Sequence, residues 1–169
     1  MKTLVSTLAG LAFALVAFQT TASLAEEAVT KPQYVGVEGC ATCHKKEKTG
    51  NQLGIWQDSR HAKAYETLGG AKAKEIATAK GIADPQKAPE CLQCHVTIHG
   101  VAAALIATPR EGKVGAVITD GVGCESCHGP GSEYKSSKTM KDHDAALAAG
   151  LVVPNEALCR TCHNDKSPS

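Results

Sequence analysis

The use of cysteine constrains this chain more than any other feature of its sequence. All eight cysteines fall into four copies of one pattern, Cys-x-x-Cys-His, at residues 40–44, 91–95, 124–128 and 159–163. The pattern supplies the cysteines Cys40, Cys43, Cys91, Cys94, Cys124, Cys127, Cys159 and Cys162, and the histidines His44, His95, His128 and His163. Because it recurs with one spacing and leaves no cysteine over, it indicates one kind of ligand bound repeatedly.

Three kinds of site use cysteines at this spacing: a zinc site, a set of disulfides, and the attachment of c-type haem. A zinc site needs two such pairs together and has no use for a histidine directly after each second cysteine. A disulfide framework would not space its cysteines in uniform pairs. In haem attachment, two thiols add to the vinyl groups of one porphyrin, and the next residue presents its imidazole to the iron. The sequence therefore predicts four covalently bound haem c groups, with the motif histidines as iron ligands.

The amino terminus predicts export. Lys2 precedes an apolar run from Leu4 to Phe18, and the small residues around Ala25 suit cleavage by a signal peptidase. The run is too short to span a membrane comfortably. We therefore expect residues 1–25 to be a cleaved signal peptide. Residues 26–169 are then a single tetrahaem domain, soluble in the periplasm and not membrane-spanning after removal of the signal.

Composition limits the core that this chain can build by itself. Both phenylalanines lie in the predicted signal, which leaves Trp56, Tyr34, Tyr65 and Tyr134 as the aromatic residues of the mature chain. Four porphyrins would supply the missing apolar surface. The predicted fold class is therefore mainly α, a small multihaem cytochrome c. Short helices and loops would wrap around four stacked haems, with little or no β structure.

Charge gives no indication of a nucleic-acid partner. The chain has 18 basic and 17 acidic residues, and removal of the signal takes away Lys2 and leaves 17 of each. The sequence has no clustered basic stripe and few aromatic side chains for stacking on bases. We therefore expect no binding to nucleic acid.

Periodicity predicts one helix that carries a candidate ligand. Residues 55–68 have His61, Tyr65 and Leu68 at helical spacing on one face, and a pair of glycines follows them. We expect one continuous helix over this segment.

The other predicted elements are short. Residues 71–80 should form a second helix, and residues 142–149 a third one that ends at Gly150. Residues 101–119 offer the one plausible strand pairing, a small hairpin. Glycines surround the third motif at 121, 123, 129 and 131, and they would let the backbone pass close to a flat macrocycle.

Four segments resemble one known family. They are SRHAKA at 59–64, CLQCH at 91–95, GVGCESCHGPGS at 121–132 and CRTCHNDKSP at 159–168, and they are similar to the cytochrome c-554 family of tetrahaem carriers. The resemblance implies a mainly helical fold with haems in stacked pairs. It also implies three haems with two axial histidines and one, the second, with an open position. The resemblance further implies another axial histidine after Pro168 and, in many members, a histidine at the position of Tyr134, and this sequence departs from the family at both points.

The distal ligands are limited by the number of histidines. The chain has seven, and the four in the motifs leave His61, His99 and His143 as candidates to bind iron. We therefore expect at least one haem to lack a distal histidine from its own chain. His99 cannot easily complete the haem held by His95, because it follows at four residues and axial ligands approach opposite faces. Met140 would give one haem His/Met ligation, although a packing role explains it better.

Electron transfer is the favoured function, and two alternatives remain. The first is an enzyme that reduces a small nitrogen oxide at an open haem, which is disfavoured because every motif ends in His rather than the Lys of multihaem nitrite reductases. The second is a subunit of an extracellular cytochrome filament, for which the sequence offers no long strand or aromatic interface. As a carrier, the protein would exchange electrons with redox-protein donors and acceptors, membrane-bound quinone-linked cytochromes among them.

Overall fold

The computed structural model describes residues 31–167. The predicted signal peptide, residues 1–25, lies outside this range, as do the first residues of the predicted mature domain. Eight helices, numbered in chain order, span α1 Val37–His44, α2 Gln52–Gln57, α3 Ala64–Thr67, α4 Ala71–Ala79, α5 Pro89–His95, α6 Cys124–His128, α7 His143–Ala148 and α8 Glu156–Cys159. Short 3-10 turns cover Glu47–Thr49, Ala103–Leu105, Ile118–Asp120 and Thr139–Lys141.

The predicted fold class, mainly α with little or no β structure, is confirmed. Within residues 31–167 there is no strand, and the single β-bridge joins Tyr34 and Ile106. The longest helix, α4, has nine residues, so no helix here would be stable by itself. Contacts between distant segments must therefore hold these short helices in place.

The four motifs lie on short helical turns. Helices α1, α5 and α6 each end at the motif histidine, and the fourth motif follows α8, where the His163 amide donates to the Cys159 carbonyl at 2.9 Å. Residues three apart in a helix share one face. Each motif therefore presents both of its thiols on the same side of a turn.

The apolar core is small. Leu68, Leu92 and Val96 form its buried cluster, and the half-buried side chains of Tyr65 and Ile98 pack against them. The cluster joins α3 to α5. Leu68 and Tyr65 thus face inward, as their spacing predicts.

The predicted continuous helix over 55–68 is wrong. The chain leaves α2 after Gln57 and re-enters a helix at Ala64. In a continuous helix the His61 carbonyl would accept from the amide four residues ahead. Here it accepts from Ala64 N at 3.2 Å and from Val122 N at 3.0 Å, so a distant segment takes one of the bonds that would sustain the helix.

The predicted hairpin over 101–119 is also wrong. Tyr34 takes the place of the expected partner strand, since its amide donates to Leu105 O at 2.8 Å and its carbonyl accepts from Ala107 N at 2.9 Å. The other two predicted helices are confirmed as α4 and α7. Asp142 caps α7 by accepting from Ala145 N at 3.0 Å, and Gly150 follows it with φ +96°.

Gly121 is the point where the 121–123 segment meets the backbone at His61. Its φ is +64°, and a Cβ atom placed on it would lie 2.8 Å from the His61 carbonyl oxygen and 2.9 Å from that of Ala62. The close neighbour of this glycine is therefore another stretch of backbone. Trp56 adds a second link between these two segments, because its indole N–H donates to Val122 O at 2.8 Å.

Gly121→Ala should destabilise the protein more than a glycine substitution in open space. Gly81 is the matched control, because its φ is +70° and a Cβ there would meet no atom within 4 Å. Gly81→Ala should cost roughly 1–2 kcal/mol, the cost of a side chain at positive φ. Gly121→Ala adds a clash with two carbonyls, so its guanidinium unfolding midpoint should fall further. Equal midpoints for the two variants would contradict the close approach at Gly121.

Candidate haem sites

The cysteines of the four motifs are free to react. All eight thiols are unpaired, which leaves no support for the disulfide alternative. Residues 31–167 contain no cluster of three or more His, Cys, Asp or Glu side chains that could hold a metal ion. The protein thus offers separate pairs of thiols, each followed by an imidazole.

Hydrogen bonds fix the tautomer of three motif histidines. His95 Nδ1 lies 2.7 Å from Ala64 O, His128 Nδ1 lies 3.0 Å from Val152 O, and His44 Nδ1 lies 3.1 Å from the side-chain oxygen of Gln52. A carbonyl oxygen can only accept, so Nδ1 donates at these contacts and Nε2 is the nitrogen that remains available to a metal ion. This is the arrangement that orients a metal-binding histidine in proteins.

The first and third motifs lie against each other. Helices α1 and α6 are in contact, and the thiols of Cys40 and Cys124 interact. The hydrogen bond between them lowers the pKa of Cys124 to about 7 and, together with burial, raises that of Cys40. The two sites therefore share a boundary at these two cysteines.

The remaining motifs continue this arrangement. Burial raises the pKa of Cys94, and the neighbouring Cys162 thiol raises it further. Burial also raises the pKa of Cys127, and Cys159 adds to that rise. The thiols of the second and third motifs are therefore within electrostatic reach of those of the fourth.

His61 lies beside the fourth motif. Its ring centroid is 5.9 Å from that of His163, with the two planes 73° apart. Imidazole nitrogens bind metal ions at about 2 Å, so two rings on opposite sides of one ion have centroids roughly 6 Å apart. The spacing of His61 and His163 therefore fits a pair of axial ligands.

The structure places the other candidate ligands differently. His143 begins α7, is exposed, and has Nδ1 3.8 Å from Asp144 Oδ1. His99 is half-buried in the turn after α5. Within the described part of the chain, neither ring pairs with a motif histidine as His61 does. Their assignment as ligands stays a prediction from the sequence.

Tyr134 supports the third motif. Its hydroxyl lies 2.7 Å from Gly129 O and 3.1 Å from His128 O, to which it donates. Burial raises its pKa above the ordinary value of tyrosine. The side chain thus serves as a buried hydrogen-bond donor at the end of α6.

Thr97 joins the second motif to the third. Its hydroxyl accepts from Gly123 N at 2.7 Å and lies 2.8 Å from the Ser126 hydroxyl. Sequence reasoning missed this residue, together with Gln52 and Glu125, because each is an ordinary polar residue until the fold brings its partner close. The carbonyls of Ala64 and Val152 carry no sequence signal at all.

The residues present fit c-type haem. Each motif offers two unpaired thiols on one face of a helical turn and an imidazole directly after them. In the first three motifs the imidazole is held with Nε2 available, and beside the fourth lies a second imidazole at the spacing of an axial pair.

Comparison with known proteins agrees with this chemistry. The sequence profile of the family described as cytochrome c554 and c-prime matches residues 39–129, more than half of the chain. Cytochrome c-554 of Nitrosomonas europaea is 33% identical over 132 residues, which cover 75% of this chain and 51% of that protein. The chain thus spans about half the length of this relative. No solved structure matches significantly. The chain belongs to the cytochrome c-554 family.

Proposed function

We propose that this protein is an exported tetrahaem c-type cytochrome that carries electrons between redox proteins in the periplasm. The observation that carries the proposal is that contacts connect all four motifs: α1 packs against α6, Thr97 links the second motif to the third, and the segment at His61 contacts both the second and the fourth. Electron relay requires closely spaced centres, and a set of isolated sites would not provide it. The similarity to cytochrome c-554 supports the same function.

The chain's own residues would hold four haems. The two thiols of each motif would form the thioether links to one haem, and His44, His95, His128 and His163 would bind the iron. When bound, each haem supplies an iron that alternates between the ferric and ferrous states. The carbonyls of Ala64 and Val152 accept from Nδ1 of their histidines, which would leave Nε2 available to bind iron.

His61 would be the distal ligand of the fourth haem. The turn that carries it is tied to two other sites. His95 of the second motif donates to Ala64 O at 2.7 Å, and Val122, before the third motif, donates to His61 O at 3.0 Å. These bonds hold the backbone at His61 and at Ala64, three residues later. The ring therefore lies beside His163 on a turn that two other motifs help to position.

The periplasmic location is part of the proposal. No helix within residues 31–167 is long and apolar enough to cross a membrane. Export itself rests on the sequence of residues 1–25, and cell fractionation with a test for cleavage after Ala25 would check it.

His61→Ala should convert one haem from low spin to high spin while all covalent haem is kept. The substitution removes an axial ligand and leaves the thioether links intact. Electron paramagnetic resonance should show a new high-spin signal equivalent to one haem per protein. Lys63→Ala is the matched control, because Lys63 is exposed on the same turn and should change no haem. An unchanged spectrum for His61→Ala would remove His61 from the ligand set.

The carrier is distinguished from the two alternatives by its reactions and its state of assembly. The dilute, reduced protein should pass its electrons to an oxidised small cytochrome in a stopped-flow experiment and should not turn over nitrite or nitric oxide. Steady reduction of either nitrogen oxide would favour the enzyme. A high-spin haem signal that disappears only when the protein assembles would favour the filament, since a neighbouring chain would then supply the missing ligand.

A further inference from the structure

One charged side chain is buried in the described part of the chain. Glu125, the residue after the first cysteine of the third motif, is 5% exposed. None of the ion pairs formed within residues 31–167 includes it. A buried charge without an ionic partner is costly unless hydrogen bonds satisfy it.

Three backbone N–H groups bind this carboxylate, and one of them is shared between its two oxygens. Oε1 accepts from Val35 N at 2.9 Å and from Gly131 N at 2.7 Å, while Oε2 accepts from Gly36 N at 2.8 Å and Val35 N at 3.1 Å. All of these partners are N–H donors, and an ionised carboxylate is an acceptor only. The contacts therefore suit the negatively charged form.

The donors come from two different parts of the chain. Val35 and Gly36 directly precede α1, which carries the first motif, and Gly131 follows the third motif. A Cβ on Gly131 would lie 3.2 Å from Oε1, so the absence of a side chain there lets the backbone come close. Glu125 thus ties the first motif to the third.

The charge of Glu125 acts on both of these motifs. Its field adds to the rise in the pKa of Cys40, which comes first from the hydrogen bond with Cys124 and then from burial. At Cys124, where the hydrogen bond from Cys40 lowers the pKa, Glu125 acts in the opposite direction. Asp120, a half-buried carboxylate, also faces this region, and Lys135 supplies an opposing positive charge near Cys40.

We propose that Glu125 is a fixed negative charge that positions the first and third haem motifs and lowers the reduction potentials of the two haems bound there. The inference rests on the proposed binding of haem at these motifs. Reduction removes one positive charge from an iron centre, so a nearby negative charge favours the oxidised state. Because this charge is buried, salt screens it far less than an exposed one.

Glu125→Gln in the fully loaded protein tests the proposal. The substitution keeps the shape of the side chain and removes its charge. Two of the four midpoint potentials should rise. At a fixed solution potential, the ratio of reduced to oxidised haem at these two sites should increase about tenfold, which corresponds to about 59 mV for a one-electron couple. The other two midpoint potentials should not change. Four unchanged potentials, or four that rise together, would overturn the proposal.

Glu133→Gln is the matched control. Glu133 lies in the same loop but is exposed, and it accepts from the Ser132 hydroxyl at 2.8 Å. Removing its charge should leave the potentials unchanged at ordinary salt. A shift as large as that of Glu125→Gln would show a general effect of net charge and would overturn the specific role of Glu125.

A second variant tests the proposal if Glu125→Gln does not fold. Lys135→Gln removes an exposed positive charge near Cys40 and should lower one midpoint potential at low ionic strength, with a smaller effect at high salt. If no potential responds, local charge does not set the potential at the first site and the proposal fails.

The count of covalent haems is measured on each variant and on the natural protein. Fewer than four in the natural protein would contradict the proposed function, whereas four haems with unresponsive potentials would contradict only the role of Glu125.

Discussion

The arrangement of thiols and imidazole at each haem motif depends on the geometry of one helical turn. Two thiols three residues apart share a face of the turn, and the next residue adds an imidazole. Each turn is too short to be stable alone, so its position and the orientation of its imidazole come from distant segments. The carbonyls of Ala64 and Val152 and the side chain of Gln52 do this for three of the four histidines.

The segment around His61 brings three sites together. Its backbone accepts from the second motif at Ala64 and from the approach to the third motif at His61, while its ring lies beside the fourth. This is also why residues 55–68 do not form one helix. The carbonyl groups that would sustain the helix are bound by distant partners, and the resulting turn places His61 next to His163. The same hydrogen bonds to distant segments therefore interrupt the helix and place His61 as a candidate iron ligand.

The motifs and the fold class could be predicted from the sequence because their signals are local. Eight cysteines in one pattern, few aromatic residues and short helical periodicities require no knowledge of the tertiary structure. The hairpin over 101–119 was wrong because Tyr34, more than sixty residues before the start of that segment, pairs with its backbone instead. The role of Glu125 could not be predicted for a similar reason, because its donors at Val35 and Gly36 lie about ninety residues away in the chain. Backbone partners over such distances carry no recognisable sequence pattern.

The central claim is that every Cys-x-x-Cys-His turn binds one haem covalently. The most direct test is the intact mass of the exported protein, measured under denaturing conditions that remove any haem not covalently bound. The measured mass should equal that of the processed chain plus four haems. A fully matured protein that carries three or fewer would contradict it.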